Sequence, residues 1–488
     1  MARINTNIPS LIAQNNLSRA NRDLALRLTR LSTGLRINRG ADDPAGLIVS
    51  ERLRSEREGL RQAIDNSERA SSVIATTEAH LAEVNDLLSS IRSLIVESAS
   101  TGGLSDEEIE ANQLQVDSAI DSITRISNTA SFAGLQLLDG SLSYLTSGVA
   151  TSAIAGVDIF AAQFGNNPSI SIDVEVVASA QAGQLTLSGT AAGAITSTVT
   201  VEVAGTRGVQ TLSFVSGTSM TDVAAAINTI RETTGVSATL ITPGDDTSGI
   251  VFSSIEFGSD AFVSVRKIGA GGDFFRTYDV DDVLTQRDEG LDVTAIINGA
   301  LAIGDGTDIT LNTPSLSVDM TLTRAFAQTA GTQKTFEIIG GGADFQLGPT
   351  ISTAQLVGFG IGSVAASRLG GTLISDVRYH LDSLKTGGTN SLVAGEAQNA
   401  SIVLDASIKE VSVLRGRIGA FERNTLQTNI RSLQIGFENI AASESRIRDT
   451  DFAEETAALT RAQILSQAGT SVLGTANLIS QNVLSLLG

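Results

Sequence analysis

Three acids, Asp279, Asp281 and Asp282, are the nearest approach to a carboxylate cage for a hard cation. A calcium loop needs a glycine at its sixth position and a bidentate glutamate at its twelfth. Counted from Asp279, those positions hold Leu284 and Gly290, and the fifth holds Val283. The spacing fails, and a solvated acidic loop is the better reading. Gly269-Ala270-Gly271-Gly272-Asp273 has the composition of a calcium-binding β-helix repeat, but it does not recur, and such repeats need stacking. Gly358-Phe359-Gly360-Ile361-Gly362 could bring backbone N–H groups to a phosphate, yet it lacks the full dinucleotide spacing and a helix after it. The two histidines, His80 and His380, have no His or Cys neighbour at ligand spacing. With no cysteine, disulfides, thiolate metal sites and a Cys nucleophile are excluded. No P-loop, paired-His zinc helix or Gly-x-Ser-x-Gly elbow occurs. Asn16-Leu17-Ser18 and Asn399-Ala400-Ser401 match the N-glycosylation pattern only within helical stretches. The expectation is a chain without catalytic, cofactor-binding or metal-ligating residues, and not an enzyme.

The whole-chain balance narrows the partners. The 488 residues carry 33 Lys+Arg against 53 Asp+Glu, a net charge of −20, which argues against nucleic acid. With 42% hydrophobic residues the chain has the material for a core. It holds no apolar run of about 18 residues, so no transmembrane helix is expected. No apolar core follows Met1-Ala2-Arg3-Ile4-Asn5, so no cleaved secretory signal is expected.

The sequence changes texture twice. Residues 1–150 carry 14 basic and 19 acidic side chains, residues 151–367 carry 8 and 22, and residues 368–488 carry 11 and 12. Most of the negative charge therefore sits in the middle. In the first part Leu24, Leu28, Leu31 and Leu35 step by three or four and share one helical stripe. Gly34, Gly40 and Asp43-Pro44 predict a break near 36–46. A second helix over about 45–100 carries Leu60, Ile74, Leu81, Leu88 and Ile95 on a seven-residue repeat, with Ser67 at the missing place and Val84 and Ile91 on a second stripe. Gly102-Gly103 ends it, and Ser105-Asp106-Glu107-Glu108 starts a third helix that runs to about Asn128.

The last part repeats this texture. Leu426, Ile430, Leu433, Phe437 and Ile440 form one stripe, and Leu465, Ala468, Val472, Ala476, Ile479, Val483 and Leu486 form another. Periodicity leaves open whether the final stripe docks on its own core or on another subunit. The middle alternates polar and apolar residues at 198–203, 235–240, 309–312 and 316–322, with a short helical run at 219–233. The predicted fold class is a mainly α, coiled-coil-like rod formed by both chain ends, with a β-rich (α+β) outer insertion. The expected divisions are 1–45, an assembly helix and break; 46–150, half of the helical core; 151–367, an outer region of one or two domains; 368–445, the other half of the core; and 446–488, a second assembly helix.

Both ends resemble bacterial flagellin. At the start the resemblance rests on Ile4-Asn5-Thr6-Asn7, Leu31-Ser32-Thr33-Gly34-Leu35-Arg36-Ile37-Asn38 and Ala41-Asp42-Asp43-Pro44-Ala45-Gly46-Leu47. At the end it rests on Arg446-Ile447-Arg448-Asp449-Thr450-Asp451-Phe452-Ala453, Gln467-Ala468-Gly469-Thr470-Ser471-Val472-Leu473 and Gln481-Asn482-Val483-Leu484-Ser485-Leu486-Leu487. It covers roughly 1–145 and 370–488. Within the middle, Asp222-Val223-Ala224-Ala225-Ala226-Ile227-Asn228 and Gly235-Val236-Ser237-Ala238 resemble a motif shared with hook-associated proteins.

The resemblance implies a subunit that polymerises into the flagellar filament used for swimming. It implies type III-like export without a cleaved signal, an extracellular location, and partners that include copies of itself, an export chaperone, and junction and cap proteins. Terminal segments that order only on assembly follow from it too. The expected assembly residues are Ile4, Ile8, Leu11, Leu24, Leu28, Leu31, Leu465, Val472, Ile479, Val483 and Leu486. Flagellins sensed by a Toll-like receptor carry an Arg where this chain has Ser90 and a Glu where it has Gln115, whereas Arg92 and Leu94 are retained. Loss of two charge-assisted bonds of about 1.5–3 kcal/mol each implies weak receptor contact. Competing expectations are a hook–filament junction protein and a filament subunit whose outer region is also an adhesin.

Overall fold

The computed structural model describes residues 6–100, 102–165, 167–269, 272, 274–374 and 377–485. The chain divides into two compact units. One unit comprises residues 1–72, 346–351 and 420–488, and the other residues 73–345 and 352–419.

The first unit is helical. Helix α1 (Ile8–Thr33) begins where the Asn7 carboxamide accepts from Ser10 N–H, and ends at Gly34. Gly34 adopts φ 71° and donates its N–H to Arg30 O, a left-handed stop that favours glycine. In the break that follows, the Asp42 carboxylate accepts from the N–H groups of Asn38 and Arg39. Pro44 then opens α2 (Pro44–Ser98), where its missing N–H costs no hydrogen bond. The first part of α2 runs antiparallel to α8 (Gln427–Arg448), with Leu60, Ala63 and Leu433 at the centre. Arg57 Nη1 lies 2.7 Å from Glu444 Oε2 along the same pair. The chain crosses over through Arg36 N–H to Arg448 O (2.7 Å) and Thr450 N–H to Gly34 O (3.0 Å).

In the second unit the remainder of α2 packs with α3 (Asp106–Thr129) and α7 (Ala397–Ala420). The seven-residue repeat is the core here: Ile74, Leu81, Leu88 and Ile95, with Val84 and Ile91, are buried. Each such aliphatic side chain contributes about 1.5–3 kcal/mol on leaving water. Ser105 and Glu108 form the capping box that starts α3.

The β-rich middle has two separate cores. One joins a five-stranded antiparallel sheet (Tyr144–Ser147, Ile170–Ala178, Thr294–Ile297, Ala300–Leu301, Gln333–Gly341) to a four-stranded one (Ile154–Ala162, Ile303–Asp305, Asp308–Asn312, Leu316–Leu322). The other joins two four-stranded sheets within residues 184–289 and includes α4 (Met220–Thr229). Gln181 and Leu291 exchange backbone bonds of 2.8 and 3.0 Å where the chain enters and leaves this second lobe. That closed neck marks an inserted unit. The helical run expected at 219–233 divides at Ile230 into α4 and α5 (Arg231–Thr234). Gly235, at φ 77°, stops α5, so the next strand starts at Val236 rather than 235.

Candidate assembly interface

Helix α9 (Phe452–Ser485) starts where Asp451 Oδ1 accepts from the N–H groups of Ala453 and Glu454. It runs antiparallel to α1. Asn7 Nδ2 donates to Ala476 O at 3.0 Å, Ser10 Oγ to Asn477 Oδ1 at 2.8 Å, and Ser466 Oγ to Asn21 Oδ1 at 2.7 Å. Nearer the other end Arg27 Nη1 reaches Glu455 Oε2 at 3.1 Å and Oε1 at 3.3 Å, and Arg30 stands 3.9 Å away. Burial alone would favour loss of the Arg27 proton. The Glu455 and Asp23 carboxylates outweigh it and push the Arg27 pKa up.

The fully buried apolar residues in the seam between these two helices are small. Ala13 is the only buried residue of α1, and Ala462 and Ala476 are buried on α9. Gly469 faces Leu17, whose Cδ1 would lie 3.2 Å from an added Cβ. Several large aliphatic residues point elsewhere. Ile8, Leu11, Ile12 and Leu28 of α1 are exposed, as are Ile464, Leu465, Val472 and Leu478 of α9. Leu465 and Val472 are 53% and 58% accessible. Leu24 and Leu31 are half-buried. The α9 stripe read from the sequence thus divides: Ala476 belongs to the seam with α1, and Leu465 and Val472 lie off it. Ile4 and Leu486 lie outside the described residues, and so do the side chains of Ile479 and Val483.

The residues named for receptor contact lie on the helices of the second unit. Ser90 and Gln115 are exposed and Leu94 is half-buried. Ser90 Oγ donates to Asp86 O at 3.1 Å. Arg92 is ion-paired to Asp405 of α7 at 3.3 Å, with both side chains about half exposed.

The segments weighed for ligand chemistry have structural roles. The Asp279 carboxylate accepts from the N–H groups of Asp281 and Val283, so it closes its own turn. An added Cβ on Gly360 would lie 2.8 Å from the Tyr144 ring, and one on Gly358 would overlap its hydroxyl. The glycines make room for Tyr144, whose hydroxyl accepts from Ala162 N–H at 3.2 Å. His380 Nδ1 is 3.0 Å from Arg368 O. Of Gly269–Asp273, residues 270, 271 and 273 lie outside the described residues. Among the described residues no cluster of His, Asp and Glu is arranged to hold a metal ion, and no helix is long and apolar enough to cross a membrane.

Sequence reading missed the Arg27–Glu455 contact, because no periodicity links residues so far apart. The seam did leave a signal, since Ala462, Ser466, Gly469 and Ala476 are small residues at helical spacing.

A profile described as the bacterial flagellin N-terminal helical region matches residues 4–143, and one described as the C-terminal helical region matches 402–487. The chain is 32% identical over 498 residues to the B-type flagellin of Pseudomonas aeruginosa, covering 99% of each. It is 29% identical over 547 residues to a flagellin of Salmonella typhimurium, and 29% identical over 525 residues to flagellin B of Helicobacter pylori, again covering 99% of each chain. These whole-length matches favour a filament subunit over a junction protein, and the chain belongs to the bacterial flagellin family, the structural subunits of flagellar filaments.

Proposed function

We propose that the outward faces of α1 and α9 are the surfaces on which successive subunits of this chain dock. The observation that carries this reading is the split between the two sides of the pair. The fully buried apolar residues of the seam are alanines, while Ile8, Leu11, Leu28, Leu465 and Val472 are left in water. Two helices alone cannot enclose both faces, and a neighbouring subunit supplies the missing cover. Each Leu or Val passing from half exposed to buried adds roughly 1 kcal/mol at about 25 cal/mol per Å². Repeated head-to-tail contacts whose rotation does not close grow a helical polymer rather than a ring.

On this reading the chain leaves the cell by a type III-like route without a cleaved signal and resides in the extracellular filament. Its further partners are an export chaperone and the junction and cap proteins at the filament ends. Contact with a flagellin-sensing Toll-like receptor is weak, because Ser90 and Gln115 present no charge.

Seeding purified chain with filament fragments and viewing it by electron microscopy tests the assignment. Long filaments from the intact chain, and none from a chain lacking residues 1–40 and 450–488, are expected. Val472→Asp should block growth. Normal filaments from Val472→Asp would place the docking surface elsewhere.

A further inference from the structure

Ser67 interrupts an otherwise apolar repeat. Leu60 precedes it by seven residues and Ile74 follows by seven, yet its hydroxyl is fully buried. Apolar layers between helices tolerate slippage, since another Leu or Ile replaces the one that moves away. A buried polar pair is satisfied in one register only.

Here the polar group has a defined set of partners. Ser67 Oγ donates to Ala63 O at 2.8 Å and accepts from Asn429 Nδ2 of α8 at 3.2 Å. The same amide nitrogen donates to Leu347 O at 2.8 Å. Leu347 belongs to residues 346–351, which leave the β-rich middle and join the helical unit. Asn66 Nδ2 also reaches Gln346 O at 3.4 Å. Gln346 Nε2 holds the carbonyls of Gly348 and Thr350 at 3.0 and 2.8 Å, which keeps the segment turned. Pro349 packs on Gly59, where an added Cβ would stand 3.2 Å from its carbonyl oxygen. A π-helical turn, Phe421–Leu426, directly precedes α8. Such turns are rare and are frequently found at functional sites.

We propose that residues 346–351 are a strap that fixes the axial register of α8 against α2, with Ser67 and Asn429 as positioning residues for filament assembly. The inference rests on the filament reading in one respect: docking faces on the same unit must keep fixed axial positions to meet the next subunit. It also gives a segment outside both matched terminal regions a part in assembly.

The test compares the intact chain with Ser67→Leu/Asn429→Leu, which exchanges the polar pair for apolar side chains. The chain has no cysteine, so Arg61→Cys and Glu438→Cys provide two clean sites for nitroxide labels, one on each helix. Labelled chains are diluted into unlabelled filaments and the spin–spin distance is read by pulsed electron resonance. Variants that do not grow filaments are read as monomers, beside labelled native monomers.

A single distance is expected for the native pair. The apolar pair should give an added or displaced distance that corresponds to an axial slip of about 5 Å, the pitch of one helical turn. Its melting temperature should be unchanged or higher, and amide protection in 346–351 should fall about tenfold or more. An unchanged single distance with strap protection intact overturns the proposal. A lowered melting temperature with an unchanged distance also overturns it, because Ser67 would then serve packing alone. Failure of the native chain to polymerise would refute the filament reading instead, and the distances would still decide the register question.

Discussion

Replacing Arg27 by Ala isolates the strongest side-chain link between α1 and α9. Glu455 has only 8% of its side chain accessible, and Arg30 at 3.9 Å would be its remaining cationic neighbour. Breaking a fully buried ion pair by removing one partner costs about 3–5 kcal/mol. The Arg27 side chain is 25% accessible, so solvent screens part of the interaction and about 2 kcal/mol is the expected loss. Because the terminal segments are expected to order only on assembly, the loss falls on the filament, and at about 1.4 kcal/mol per tenfold the monomer concentration in equilibrium with filaments should rise roughly 30-fold. Glu455→Gln should cost less, about 1 kcal/mol or fivefold, for two reasons. The amide oxygen still accepts a hydrogen bond, and Arg27 keeps Asp23 at 3.2 Å. The assay is sedimentation of filaments grown from seeds, with residual monomer measured at several total concentrations. Residual monomer for Arg27→Ala within about twofold of native, or a larger effect from Glu455→Gln, would refute the reasoning.

Gly469→Ala should be nearly neutral for assembly, since the tip of Leu17 can yield at 3.2 Å, whereas Gly469→Leu should cost about 1–3 kcal/mol and raise residual monomer. Asp117 accepts from Gln113 Nε2 at 2.7 Å and Thr386 N–H at 2.9 Å. Burial alone would raise its pKa, but these donors and Lys385 bring it below the usual range. Its stabilisation is therefore present above about pH 4 and lost as pH falls through the lower folded-state value. Melting temperature followed from neutral to acid pH should drop less steeply in Asp117→Asn, and parallel curves would count against the assignment. Ser90→Arg with Gln115→Glu should raise the response of cells bearing the flagellin-sensing receptor by about tenfold or more, at one or two charge-assisted bonds. Gly358→Ala should lower the melting temperature by displacing the Tyr144 hydroxyl from Ala162 N–H, and an unchanged melt would argue against that packing.

The helical ends were legible because each of their signals is local. The seven-residue repeat from Ile74 to Ile95 is buried over its whole length, and the stop at Gly34 and the box at Ser105–Glu108 lie where the residue types require them. Strand alternation in the middle was legible for the same reason: 309–312 and 316–322 form adjacent antiparallel strands. The split of the middle into two cores was not legible, because it depends on Gln181 meeting Leu291 across a long insertion.

Sequence alone also determined the family and the helix-rich ends, since both follow from residue type at short spacing. Tertiary structure alone decided which side of α9 meets α1. A stripe recurring every three or four residues marks an apolar face, but the choice between neighbouring stripes depends on the partner helix. Close approach of two helices favours Ala462, Ser466, Gly469 and Ala476, leaving Leu465 and Val472 in water. The same holds for Ser67, a gap in the repeat until folding brings Asn429 and the Leu347 carbonyl within hydrogen-bonding reach.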